Sequence, residues 1–202
     1  MEQSDVRQLA QAVLGRLFVP LEASGRHVHV TNKQAMTLFG HDLTPERPLS
    51  QPGQYLAQER VSVLGPKGKL DGVAVLGPCR REAQVELSLT DGRVLGITPP
   101  VRLSGEVQQT PGATLVGPNG SVTLRQGVIA AQRHIHMTPQ DAKAQHVADG
   151  DTVKLKTLTD RPVVFEQVAV RVSEQFRTYA HLDYDEANAC GFKKGDLGMI
   201  LA

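Results

Sequence analysis

Two histidine pairs, His27-Val28-His29 and His134-Ile135-His136, carry the clearest chemical signal in the chain. In an extended strand alternate side chains share a face. Both members of each pair therefore point the same way with Cα atoms about 7 Å apart, close enough for two imidazoles to converge on one ion. A further ligand type follows each pair: Glu86 in Val85-Glu86-Leu87-Ser88, and His181 in Ala180-His181-Leu182-Asp183. Zinc binds histidine nitrogen and carboxylate oxygen, and a catalytic zinc keeps three protein ligands and one open position. The spacing predicts two such sets, His27, His29 and Glu86 in one and His134, His136 and His181 in the other. One His-x-His pair alone is more often an ordinary strand feature; two copies, each with a third candidate, favour metal. His41 and His146 fall outside the pattern and read as ordinary residues.

The elements that must position these ligands are visible as a repeat. Residues 25–35, GRHVHVTNKQA, match residues 132–142, QRHIHMTPQDA, in the arginine, both histidines, the hydrophobe between them, the threonine and the alanine. Each copy reads as a short strand running into a helix. Thr31 and Thr138 stand at the N-cap, Gln34 and Asp141 follow three residues later, and Pro139 falls at the first helical position. Strand-rich stretches follow each copy, at 61–65, 72–78 and 83–89 and again at 152–158, 162–172 and 178–184, separated by turn signals such as Asp91-Gly92 and Pro118-Asn119-Gly120. The expected fold is mainly β with short helices, built as two structurally similar β-barrels with helical caps. Residues 3–18 have an apolar stripe at Val6, Leu9, Ala10, Val13, Leu14 and Leu17, which predicts an N-terminal amphipathic helix ending before Pro20. It docks on its own domain or binds a partner through that stripe.

Arg26 and Arg133 precede each histidine pair by one residue, so they should face the other way and are read as structural or ion-paired. Arg80 and Arg81 follow Gly77-Pro78-Cys79 at a turn leading into the Glu86 strand, where an arginine can hold phosphate or carboxylate. A solvated surface pair is the other reading of these two residues.

Composition excludes several classes. The net charge of +1, the absence of Trp and the 4% aromatic content argue against nucleic-acid binding. No apolar run is long enough for a membrane span, and the N-terminus lacks a secretory pattern. Two cysteines outside any Cys-x-x-Cys pair fit a reducing, cytoplasmic setting. P-loop, dinucleotide-binding, His-Glu-x-x-His and Gly-x-Ser-x-Gly motifs are all missing.

The ordered set Ser24-Gly25-Arg26-His27-Val28-His29, Gly77-Pro78-x-Arg80 to Gln84-Val85-Glu86, Arg133-His134-Ile135-His136-Met137 and His181-Leu182-Asp183-Tyr184-Asp185-Glu186-Ala187-Asn188 resembles PduL-type phosphate propanoyltransferases, the phosphotransacylases of bacterial microcompartments. The resemblance runs from about residue 19 to the end of the chain. It implies two zinc ions near the interface of two swapped β-barrels. The first barrel takes 19–25 plus 132–202, and the second takes 26–104 with an inserted segment near 40–60, leaving 105–131 as a connection. It also implies His27, His29 and Glu86 on one zinc, His134, His136 and His181 on the other, and Arg80 as a catalytic residue. Cys79 fills the variable position of that motif and is assigned no role, and a route with Cys79 as acyl carrier is the competing mechanism. The N-terminal helix resembles an encapsulation peptide reaching microcompartment shell or lumen proteins, and a dimer is implied. The implied reaction joins acyl-CoA and phosphate to give acyl phosphate and coenzyme A by direct attack of phosphate on the thioester. Propanoyl and acetyl differ by one methylene, worth only about 1–3 kcal/mol of discrimination, so the acyl group stays open. A zinc metallohydrolase of thioesters or phosphoesters, or a non-catalytic zinc-binding microcompartment component, are the rival classes; CoA release that requires phosphate separates them from the transferase.

Overall fold

The computed structural model describes residues 17–201, so the helix expected over 3–18 lies, but for its last residues, outside the described part. In chain order the elements are β1 (Val19–Ser24), β2 (His27–His29), α1 (Asn32–Phe39), β3 (Pro45–Pro48), β4 (Tyr55–Leu64), β5 (Lys69–Gly77), β6 (Gln84–Leu87), α2 (Leu89–Leu95), β7 (Val101–Arg102), β8 (Ala113–Val116), β9 (Ser121–Leu124), β10 (Val128–Ala131), β11 (His134–Met137), α3 (Pro139–Ala144), β12 (Thr152–Leu158), β13 (Val164–Val172), β14 (Tyr179–Asp183), α4 (Tyr184–Ala189) and β15 (Leu197–Leu201). The mainly-β class with short helices is as the sequence predicts. No described helix is long and apolar enough to cross a membrane.

The chain forms two units. The first takes the described residues up to Ala23, Arg133–Leu182 and the tail from Glu186. Its strands close into a six-stranded barrel in the order β1-β14-β11-β13-β12-β15, with β1 and β15 joined antiparallel through Val19↔Gly198 and Pro20↔Leu197. Strand pleating sorts its residues: Val19, Leu21, Ile135, Met137, Leu155, Val168, Val170, Ala180 and Leu182 fill the core, as period-two alternation requires.

The second unit, Ser24–Gln132 with Asp183–Asp185, is an open, curled sheet of nine strands. Its main path runs β7-β10-β6-β2-β5-β4-β8-β9, with β3 paired to β4. Residues 105–131, expected as a connection, carry β8, β9 and β10 of this sheet. Residues 24–25, expected with the barrel, fall in this unit instead. The core packs Val28, Val30, Val61, Val63, Val73, Val75, Val85 and Leu87 against Leu38 of α1 and Leu95 of α2.

The sequence repeat is a structural repeat. The run β6-β2-β5-β4 corresponds to β14-β11-β13-β12. In each run the His-x-His strand is antiparallel to the strand that carries Glu86 or His181 and parallel to its other neighbour. Both caps form as expected: Thr31 makes a capping box with Gln34 ahead of α1, and Thr138 accepts from the Asp141 N–H at 3.1 Å ahead of α3. Even an irregularity recurs. The ladders slip between Val61 and Val63 and between Val153 and Leu155. Opposite each slip lies a left-handed residue, Gly72 at φ 66° in β5 and Gln167 at φ 54° in β13. Glycine takes that conformation without cost, whereas glutamine does not.

Candidate metal centres

In the open sheet, His27 and His29 project from β2 on the face opposite Val28, and Glu86 projects from β6. The antiparallel register sets His27 against Glu86 and His29 against Gln84. His27 Nε2 lies 3.4 Å and His29 Nε2 3.9 Å from Glu86 Oε1. All three residues are buried, at 2–6% exposure. In the barrel, β11 and β14 repeat the arrangement, with His134 against His181 and His136 against Tyr179. The ring centroids of His134, His136 and His181 lie 4.6–5.0 Å apart. Phe176 stacks on His136 at 4.1 Å. Glu86 and His181 thus hold the same register position, each opposite the first histidine of its pair.

Among the described residues, His27, His29 and Glu86 and His134, His136 and His181 are the two groups with donor atoms mutually within 4.8 Å that suit one cation. The electrostatics of the Glu86 group fit a cation. Burial alone would raise the Glu86 carboxyl, yet His27, His29 and the Ser104 hydroxyl hold it well below the usual carboxylate range. Burial pushes His29 well below the ordinary imidazole value, helped by positive charge at His27 and Arg80 and opposed by Glu86. Burial also opposes charge on His27, but Glu86 outweighs it and raises that group. An ionised carboxylate and a neutral imidazole are the forms in which these groups ligate metal. Two nitrogens with one oxygen, and three nitrogens, are both donor sets that zinc accepts in three-ligand sites.

The surroundings hold these side chains in place. His27 Nδ1 lies 2.8 Å from the Gly25 carbonyl, which leaves Nε2 toward Glu86. Glu86 Oε1 accepts from Gln84 Nε2 and from Ser104 Oγ, the latter at 2.9 Å. Gln84 Nε2 also donates to Ser104 Oγ at 2.8 Å, and Gln84 Oε1 accepts from the Gly105 N–H at 2.7 Å. Arg80 joins this network by donating Nη1 to Ser104 Oγ at 3.0 Å. Its backbone N–H donates to the Val30 carbonyl at 2.9 Å, tying the turn after β5 to the end of β2. A Cβ at Gly77 would lie 2.1 Å from the Tyr55 ring, so a larger residue where that turn begins would displace Tyr55.

The structure therefore brings Arg80 to the Glu86 group and leaves Arg81 exposed, in a polar groove with Gln34, Glu82 and Arg125. Cys79 is half-buried against the core, and burial, with Asp42 and Glu59 adding, raises its thiol. His41 is exposed. Arg26 and Arg133 are ion-paired: Arg26 Nη2 lies 2.8 Å from Asp91 Oδ1, and Arg133 Nη1 lies 2.7 Å from Glu186 Oε1. The sequence assigns no role to Gln84, Ser104 or Glu186, and Asp91-Gly92 reads there as a turn, whereas Asp91 lies in α2 as the third helical residue of its capping box. Gln84 was the detectable one, two residues before Glu86 and so on the same face.

A family model described as phosphate propanoyltransferase matches residues 20–193. Curated relatives carry that name. One from Enterococcus faecalis (strain V583) is 52% identical over 183 residues, spanning 90% of this chain and 87% of its own length. One from Listeria monocytogenes serovar 1/2a (strain EGD-e) is 50% identical over 198 residues, 97% of this chain and 93% of its own. One from Clostridioides difficile (strain 630) is 47% identical, over 97% and 95% of the two chains. With a family model over residues 20–193 and relatives 47–52% identical over 87–97% of either chain in agreement, the chain belongs to the phosphate propanoyltransferase family, a family of acyltransferases.

Proposed function

We propose that this chain is a zinc-dependent phosphotransacylase that interconverts a short acyl-CoA, propanoyl-CoA first among them, and phosphate with acyl phosphate and coenzyme A. The observation that carries the reading is the equivalence of Glu86 and His181, opposite His27 and His134 in matching registers. His27, His29 and Glu86 would hold one zinc, and His134, His136 and His181 the other. Bound there, zinc would supply Lewis acidity for the thioester carbonyl and charge to neutralise phosphate.

Arg80 is the catalytic residue of this reading. Its planar fork matches phosphate oxygens, and Ser104 orients it beside Glu86. A phosphate oxygen bonds to the thioester carbon, the C–S bond breaks, and the phosphate proton passes to the departing sulfur. Arg80 would offset the charge that develops as that carbon becomes tetrahedral. A raised, half-buried thiol at Cys79 is the reverse of an activated nucleophile, which favours direct attack over an acyl-cysteine route. The apolar stripe within residues 3–18 supports a further step in the same reading, delivery of the enzyme to a bacterial microcompartment. A two-fold dimer, the commonest oligomer, belongs to the same reading.

The test is acyl phosphate formation from propanoyl-CoA. The expected result is production that needs phosphate, stops after chelation and returns with zinc. Thiol release that proceeds equally without phosphate would make the chain a hydrolase and overturn the proposal.

A further inference from the structure

The two ligand sets differ in charge. Glu86 brings one carboxylate to His27 and His29, whereas His134, His136 and His181 bring none. A divalent cation would leave the first site at about +1 and the second at about +2 if only the direct ligands counted. The barrel carries a carboxylate that removes the difference. Glu22 Oε2 lies 3.3 Å from His181 Nδ1. Strand pleating places it there: Val19 and Leu21 of β1 enter the barrel core, while Glu22 takes the other face. Ile135, Met137, Ala180 and Leu182 fill that same core, so His134, His136 and His181 also lie on the face opposite it. β1 is the direct neighbour of β14, which carries His181. In the open sheet the support is neutral: Glu86, the counterpart of His181, accepts from Gln84 Nε2 and Ser104 Oγ, and His27 Nδ1 lies 2.8 Å from the Gly25 carbonyl.

We propose that Glu22 is the positioning carboxylate of the all-histidine site. It keeps the proton of His181 on Nδ1, leaves Nε2 as the ligand atom, and supplies from outside the ligand set the negative charge that Glu86 supplies from within. A carboxylate behind a ligating imidazole raises its basicity and fixes its tautomer. The inference rests on the reading that both triads hold zinc.

Zinc titration against a chromogenic chelator tests it in a His29→Ala background, where the barrel site alone remains. The parent should bind one zinc. Adding Glu22→Gln, which is isosteric at a side chain 36% exposed, should weaken that site about 10–100-fold, with circular dichroism unchanged. Glu22→Asp, which keeps the charge, should fall between the two. The nitrogen-15 shifts of His181 in the zinc-loaded parent should report an Nδ1–H tautomer. Equal affinity with and without Glu22→Gln would overturn the proposal. So would a cobalt-substituted Glu22→Gln protein whose absorption shows a lost protein ligand, because Glu22 would then be a ligand itself. A His29→Ala parent that binds no zinc would instead remove the reading beneath it.

Discussion

Arg80 meets the Glu86 group through one hydroxyl. Ser104 Oγ accepts from Arg80 and Gln84 and donates to Glu86, which uses its full hydrogen-bonding capacity. Arg80→Ala should therefore lower acyl transfer by about 10²–10³-fold while leaving zinc content intact. Steady-state kinetics with metal analysis check this, and full activity would remove Arg80 from the site. Cys79→Ala should retain turnover under direct attack; ping-pong kinetics, or loss of turnover in that variant, would contradict it. The histidines were legible because His-x-His has a single geometric meaning in a strand. Glu86 was harder, since it breaks the chemical symmetry of the repeat, and only the pairing register shows it equivalent to His181. Ser104 carried no signal at all: it comes from a loop 18 residues beyond the glutamate that it contacts.

Two clamps tie the ligand strands to the helices that follow them. Asp91 and Glu186 each lie five residues after the third ligand, Glu86 or His181, and each pairs with the arginine preceding a histidine pair. The Asp91 side chain is 4% exposed, also completes the Ser88 capping box, and takes Arg26 through both oxygens. Asp91→Ala should cost about 2 kcal/mol, from a lost cap and a broken pair to the part-exposed Arg26. Glu186→Ala, at a more exposed carboxylate, should cost about 1 kcal/mol. Urea unfolding orders the two, and a reversed order would refute the assignment. The shared bulge gives another comparison. Gly72→Gln should cost about 1 kcal/mol through its left-handed backbone alone, because nothing lies within 4 Å of its Cβ position; an unchanged melting temperature would show that the bulge carries no strain. The sequence repeat revealed both strand–helix units, since their caps and pairs match residue for residue. The clamps stayed hidden because their acids differ in type. β8 and β9 stayed hidden because each has four residues, between turns at Gly112 and at Pro118-Asn119-Gly120.

At the scale of the molecule, each ligand set belongs wholly to one unit, His134, His136 and His181 to the barrel and His27, His29 and Glu86 to the open sheet. The mainly-β class, and the two groups of residues that could hold a cation, were legible from period-two patterning and spacing. Which strands close was not, because closure depends on long-range pairing such as Val19↔Gly198 that no local pattern encodes. Metal bound to the native state alone stabilises it by mass action, about 4 kcal/mol per site at a thousandfold excess over Kd. Chelation should therefore lower the melting temperature of the whole chain, and zinc should restore it; a midpoint insensitive to both would count against bound metal. The central claim, that two equivalent triads each hold a metal, is tested most directly by counting zinc per folded chain in the wild type, His29→Ala and His136→Ala. The expected values are two, one and one; a wild type that binds fewer than two, or a single substitution that empties both sites, would contradict it.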